Sequence, residues 1–105
     1  MAQFTVYENP NPDTSDEIPY LLDVQADLLE SMNTCVVVPL HPLDPTGFTP
    51  IRNLMPVLSV HNRKYILLTS ELAGIPRNLL GARVCDLSAH RNEIISALDF
   101  LFTGF

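Results

Sequence analysis

Nine prolines cut this chain into short pieces, and none falls beyond residue 76. Proline fixes φ and brings no N–H, so a long helix is excluded wherever prolines recur. The segments between them read mostly as strands. Residues 3–7 alternate, with Phe4 and Val6 on one side and Gln3, Thr5 and Tyr7 on the other, as in a half-buried strand. Residues 8–19 hold Pro10, Pro12 and Pro19, two asparagines and four acids without any apolar period, which predicts a long acidic loop. Residues 20–25 resume as a strand, and residues 27–32 turn. Residues 34–40 are β-branched and apolar, as suits a strand covered on both faces. Residues 41–50 are broken by Pro42, Pro45, Gly47 and Pro50 and form a second loop. Residues 54–60 and 64–70 flank His61-Asn62-Arg63 at hairpin spacing, with Pro56 marking an edge, a bulge or a later strand start. Residues 71–83, with Gly74, Pro76 and Gly81, read as irregular.

The last segment has a different period. Ile94, Ile95, Leu98, Leu101 and Phe102 recur at three- and four-residue spacing, which predicts a helix. Ser88 is placed as its N-cap, Glu93 lies in its first turns, and Gly104 stands where a C-terminal glycine belongs. Short strands followed by one terminal helix define an α+β, mainly β, antiparallel domain, a small curved sheet or barrel spanning residues 1–105. At 105 residues and 47% hydrophobic, one such domain fills its own core.

Charge is distributed unevenly. Residues 1–51 carry eight acids and no Lys or Arg, within a net charge of −6. Such a chain is a poor partner for a phosphate backbone, so direct nucleic-acid binding is not expected. No apolar run is long enough to span a bilayer, and the N-terminus lacks signal-peptide character, so no membrane partner and a cytoplasmic location are expected. Cys35 and Cys85 form no CxxC pair, and Cys35 opens an apolar run as a buried reduced thiol would. His41, His61 and His90 fall in a loop, a turn and a helix start without ligand spacing. No metal and no cofactor are expected, and no catalytic motif is present.

The polar side of the terminal helix is the unusual feature. Asn92, Ser96, Asp99 and Thr103 form one stripe leading to Gly104 and Phe105. Every amphipathic helix has a wet face. Here, however, the last turns hold Asp99 and no cation, and the sequence stops on an aromatic. Phe102 and Phe105 are equally placed to pack back on the sheet or to stand free. An uncompensated acid beside such an end is where a cationic partner would dock.

Gln3-Phe4-Thr5-Val6-Tyr7, Asp23-Val24-Gln25-Ala26-Asp27-Leu28-Leu29, Val38-Pro39-Leu40, Leu68-Thr69, Ile75-Pro76 and the ending from Val84 through Asp86-Leu87-Ser88 to Phe102-Thr103-Gly104-Phe105 resemble, in order and nearly in spacing, the CcdB-type toxins of bacterial toxin–antitoxin pairs. The resemblance covers essentially the whole chain. It implies an SH3-like antiparallel barrel with a small extra sheet and a C-terminal helix, and a homodimer. It also implies a protein that binds the DNA gyrase A subunit and traps the enzyme on cleaved DNA without catalysis of its own. The implied gyrase-binding positions are Leu28, Leu29, Asn92, Ser96, Asp99, Thr103, Gly104 and Phe105. A disordered antitoxin segment is implied to wrap the toxin, with contacts on the two loops; Glu8, Asp13, Asp16, Glu17, His41 and Asp44 are the candidates there.

One departure stands out. The family ends Trp-Gly-aliphatic, and this chain ends Thr103-Gly104-Phe105. Phe105 is expected to supply part of the missing aromatic contact and Asp99 the charge. The alternatives are an mRNA-cleaving toxin of the MazF/Kid type, which would need cations at a scissile phosphate, and a non-toxic homologue that still binds an antitoxin.

Overall fold

In the computed structural model, which describes residues 3–44 and 47–104, the five strand runs and the terminal helix expected from sequence are present, and two further strands, Ala73–Pro76 and Arg83–Asp86, join them. The strands are β1 (Thr5–Glu8), β2 (Tyr20–Asp23), β3 (Thr34–Pro42), β4 (Val57–Val60), β5 (Arg63–Leu67), β6 (Ala73–Pro76) and β7 (Arg83–Asp86), and the helix is α1 (Arg91–Thr103). They form a curled antiparallel half-barrel in the order β4-β5-β3-β2-β1-β7, with β6 joined to β3 off that path. The class is α+β, mainly β, as the sequence predicts.

β3 organises the sheet. On one side it pairs β2 through residues 37–40; on the other it pairs β6 through residues 34–37 and β5 through residues 40–42. Pro39 sits where the second side changes partner. Its carbonyl accepts the Leu68 N–H at 2.9 Å on that side, so its missing N–H faces the gap between β6 and β5 and costs no ladder bond. Alternation then sends Val38 and Leu40 into a large core with Val6, Leu22, Leu58, Tyr65, Leu67 and Ile94. Cys35 and Val37 enter a small core with Leu21 on the opposite face. The strand is covered on both faces, as expected.

The hairpin forms with a two-residue turn, His61-Asn62, both at positive φ (49° and 67°), the geometry whose twist suits tight hairpins. β4 begins at Val57, directly after Pro56, and is a sheet edge. β1 begins at Thr5 because Phe4 turns left-handed, at φ 66°. That conformation costs an aromatic residue about 1–3 kcal/mol. It lets the Phe4 N–H donate to Asp23 O and the Phe4 carbonyl accept from Leu87 N–H at 2.7 Å.

Two expectations are corrected, and the open placement of Phe102 is decided. Residues 71–83 are not irregular throughout: Ala73–Pro76 is a strand. Only Ile75 within it is even half-buried, so no apolar period announces it, and pairing with β3 alone makes it extended. Ser88 does not cap α1. It opens a 3-10 turn (Ser88–His90) whose entry is tied by Asp86 Oδ1, which accepts the Ser88 N–H at 2.7 Å, and α1 starts three residues later without a side-chain cap. Phe102 does not continue the buried face. Ile94 and Ala97 are buried and Leu98 and Leu101 half-buried, but Phe102 is 71% exposed as burial fades along the last turn. Gly104 ends the helix as predicted, left-handed at φ 80° with its N–H on Phe100 O at 2.9 Å.

Candidate functional site

The polar stripe emerges intact: Asn92, Ser96, Asp99 and Thr103 are all exposed on α1. No cation occupies the last turn, but the helix end is not wholly uncompensated. The Gly104 N–H serves Phe100 O, one of the last carbonyls, and the Thr103 hydroxyl adds a donor to Asp99 O at 2.7 Å. The Asp99 side chain remains exposed.

Asn92, Ser96 and Gly104 meet in an open groove of about 740 Å³, together with Glu93 and Phe100 of α1 and with Asn53 and Pro56 from the turn before β4. Asp99 and Thr103 follow on the same helical stripe without lining it. Nothing in the sequence pattern ties Asn53 and Pro56 to this site, because their turn lies far from α1 along the chain. The available signal is that Asn53 adopts a left-handed φ of 69°, within a turn in which the Met55 N–H donates to Ile51 O at 2.8 Å. Glu93 is engaged by His90 Nδ1 at 3.1 Å.

Leu28 and Leu29 stand on a separate element, the 3-10 turn Asp27–Leu29, where Leu28 is 92% exposed and Leu29 and Met32 are exposed beside it. The turn is bare but firmly held. Asp23 Oδ1 accepts the Gln25 N–H at 2.9 Å, and Gln25 Oε1 accepts the Val36 N–H at 3.2 Å. Gln25 Nε2 donates to Thr34 O at 3.2 Å. From the far side, Arg77 Nε donates to Met32 O at 2.7 Å, and Asp27 Oδ1 accepts the Gln3 N–H at 2.8 Å. Such anchoring removes the ordering cost that a flexible loop incurs on binding.

Asp23 is 1% exposed, and its Oδ2 has no N–H or O–H donor. Cys35 lies beside it. Burial first, then the hydrogen bond and charge of Asp23, push this thiol up to about 12. Burial likewise raises Cys85, with the Asp86 charge adding to it, and Tyr7 is raised by burial and then by Asp23. Both cysteines are free. Cys35 belongs to the small core and Cys85 packs on the large one.

Two of the candidates expected in loops lie in strands: Glu8 ends β1, and His41 belongs to β3, which runs on to Pro42 because β5 offers His41 and Pro42 the partners Ile66 and Tyr65. Glu8, Asp13, Asp16 and Glu17 are exposed. His41 is half-buried, with Nδ1 2.8 Å from Pro42 O and its ring edge-on to Phe48 at 5.5 Å; Asp44 is exposed, and its carbonyl accepts the Gly47 N–H. Phe105 lies outside the described residues. Among the described residues, no three His, Cys, Asp or Glu side chains are grouped to hold a metal, and no helix is long and apolar enough to cross a membrane.

A curled half-barrel with one terminal helix is an architecture found in solved structures of small bacterial proteins. An endoribonuclease in complex with its cognate antitoxin, from a mycobacterial species, superposes with a TM-score of 0.73 at 15% identity, covering 97% of this chain and 94% of that one. A second mycobacterial endoribonuclease gives 0.70 at 16% identity, covering 97% and 90%. At that identity the likeness is one of fold. The narrower statement comes from sequence: residues 3–104 match the family described as CcdB protein, and the chain belongs to that family. It is a toxin-type member of the toxin–antitoxin class.

Proposed function

We propose that this chain is a toxin that binds the DNA gyrase A subunit and traps gyrase on cleaved DNA, acting by binding and not by catalysis, and that a cognate antitoxin neutralises it. The observation that carries the reading is the exposed side of α1. The groove-lining Asn92, Ser96 and Gly104, the acid Asp99, the hydroxyl of Thr103 and the exposed Phe102 are all presented by α1 and its terminal glycine in a CcdB-family chain. Asn and Ser side chains supply hydrogen bonds, Asp99 a charge for a partner's guanidinium, and Leu28 and Leu29 an apolar contact. The family's tryptophan position is Thr103 here, and Phe102 supports the reading because it presents an exposed aromatic one residue earlier. Phe105 is proposed to add to that contact. We place the active form as a homodimer in the cytoplasm, and the antitoxin's disordered segment on the loop acids Asp13, Asp16, Glu17 and Asp44 together with Glu8 and His41, which stand near the ends of β1 and β3.

The test is incubation of the purified protein with gyrase, ATP and supercoiled DNA, beside a parallel RNA-cleavage assay. Cleaved, protein-linked DNA is expected. Cut RNA would instead favour an mRNA-cleaving toxin, the reading towards which the fold likeness to endoribonucleases leans. Neither product would mark a non-toxic, antitoxin-binding homologue. Deleting Thr103, Gly104 and Phe105 is expected to abolish toxicity while leaving the thermal melt nearly unchanged, and toxicity surviving the deletion refutes the role given to this tail.

A further inference from the structure

The sheet face turned away from α1 carries a second groove, of about 590 Å³. Leu21, Pro39 and Ile75 reach it from β2, β3 and β6, Pro10 and Ile18 from the acidic loop, and Leu79 from the 3-10 turn Arg77–Leu79. It opens over the small core, where Ile18, Ile75 and Leu80 pack on Leu21, Cys35 and Val37. The cover is incomplete, since Leu79 is left 55% exposed.

The loop that walls this groove is not slack. Asn9 Nδ2 donates to Thr14 Oγ1 at 2.9 Å and to Ile18 O at 2.8 Å, and the Asn9 N–H donates to Pro19 O at 2.9 Å. Asn11 Oδ1 accepts the Asp13 N–H at 3.0 Å, and Thr14 O accepts the Ile18 N–H at 2.8 Å. A loop that satisfies its polar groups internally offers a finished wall, and a finished wall binds without an ordering cost. Asp13, Asp16 and Glu17 are exposed on the same loop, and among the described residues none of them makes an ion pair. Local cations do not neutralise them either. No Lys or Arg precedes Arg52 in the sequence, and Arg77, beside Leu79, spends its guanidinium on the carbonyls of Met32 and Leu29.

We infer that this groove seats an extended peptide segment that inserts one apolar side chain between Ile18, Ile75 and Leu79, with Lys or Arg on either side of it reaching Asp13, Asp16 and Glu17. The apolar lining demands the first element and the unneutralised rim the second. Other occupants conflict with that rim. Nucleic acid and anionic lipid meet carboxylates, and a second copy of this chain meets its own acids. The inference rests on the toxin reading for the partner's name, an antitoxin segment, but not for its chemistry. It places an apolar anchor on the face opposite α1, so the segment need not touch the helix stripe to hold the protein.

The test is a titration of the ¹⁵N-labelled protein with the peptide acetyl-Lys-Arg-Leu-Lys-Arg-amide, followed by amide shifts. Shifts are expected at Asn9, Ile18, Leu21 and Ile75, not along α1. Replacing the peptide's Leu by Ser, or making Leu79→Ser in the protein, is expected to weaken binding about fivefold. The triple variant Asp13→Asn, Asp16→Asn, Glu17→Gln is expected to do the same and to remove most of the salt dependence. Phe102→Ser, an equally exposed change elsewhere, is expected to leave binding alone. All these positions are exposed, and an unchanged thermal melt checks the fold. Absence of shifts at millimolar peptide, shifts centred on α1, or equal affinity for the Ser peptide overturns the proposal. The gyrase assay on the same samples separates the two readings. DNA cleavage without groove shifts sinks the groove alone, and groove shifts without cleavage sink the toxin reading alone.

Discussion

Asp23 shows how one residue can fix a site it does not enter. Its Oδ1 holds the Gln25 N–H, and Gln25 in turn ties Thr34 and Val36, so the exposed Leu28–Leu29 turn hangs from a buried carboxylate. Asp23→Ala removes an acceptor and leaves the half-buried Gln25 N–H without it, an expected loss of about 1 kcal/mol by chemical denaturation. Asp23→Asn keeps the Oδ1 acceptor and turns an amide towards the Cys35 thiol, so it is expected to retain most of that stability; equal losses in both variants would refute the hydrogen-bond account. Cys35 gives a prediction of the opposite kind. Buried and pushed up to about 12, its thiol stays protonated in the folded protein while the unfolded chain ionises near the ordinary value of 9.0. Above that ordinary value the unfolded state binds fewer protons, so this contribution is present below it and is lost as pH rises towards about 12. Stability is expected to fall over that window, less steeply in Cys35→Ala, and a thiol reagent at pH 8 is expected to label Cys85 in preference to Cys35 until denaturant is added. Sequence showed the apolar run around Cys35. It did not show the carboxylate beside it, because the pair meets only through the register of β2 against β3.

α1 is the element on which core and site share a single rod, and the two can be separated by mutation. Ile94 is fully buried, so Ile94→Ala is expected to cost about 2–5 kcal/mol. Phe102→Ser touches an exposed ring and is expected to change stability by no more than about 0.5 kcal/mol while reducing gyrase poisoning severalfold. A Phe102→Ser protein that still poisons gyrase fully would return the aromatic role to Phe105. The helix was legible because its period is set by its own residues, and Gly104 because left-handed termination favours glycine. β6 was not legible, since Ala-Gly-Ile-Pro carries no alternation and becomes a strand only when residues 34–37 offer it an edge. Ser88 misled for a related reason: local rules identify a capping residue, but the 3-10 turn that displaces the helix start is imposed by Asp86 and by Leu87 bonding back to Phe4. The stripe was readable from spacing, whereas Asn53 and Pro56, which complete its groove, come from a distant turn.

At the scale of the molecule, the net charge of −6 includes two acidic places that a partner would experience differently. The rim at Asp13, Asp16 and Glu17 is a concentrated, solvated patch on a rigid loop, and such patches accelerate encounter more than they hold a complex once formed. On α1, Asp99 stands with only one other acid, the His90-engaged Glu93, among neutral hydrogen-bonding and apolar groups, where contact quality matters more than long-range field. Neutralising the three rim acids, which shifts the net charge from −6 to −3, is therefore expected to slow association with the antitoxin by roughly tenfold at low salt and hardly at all at high salt, as stopped-flow mixing would show. The same triple variant is expected to leave gyrase-dependent DNA cleavage unchanged, because the rim lies on the sheet face opposite α1. Asp99→Asn reverses the pattern, weakening cleavage while leaving antitoxin association alone. If both variants impair both partners equally, the surfaces are one interface. The arrangement of the half-barrel, with β3 covered on both faces and a groove on each, argues for two.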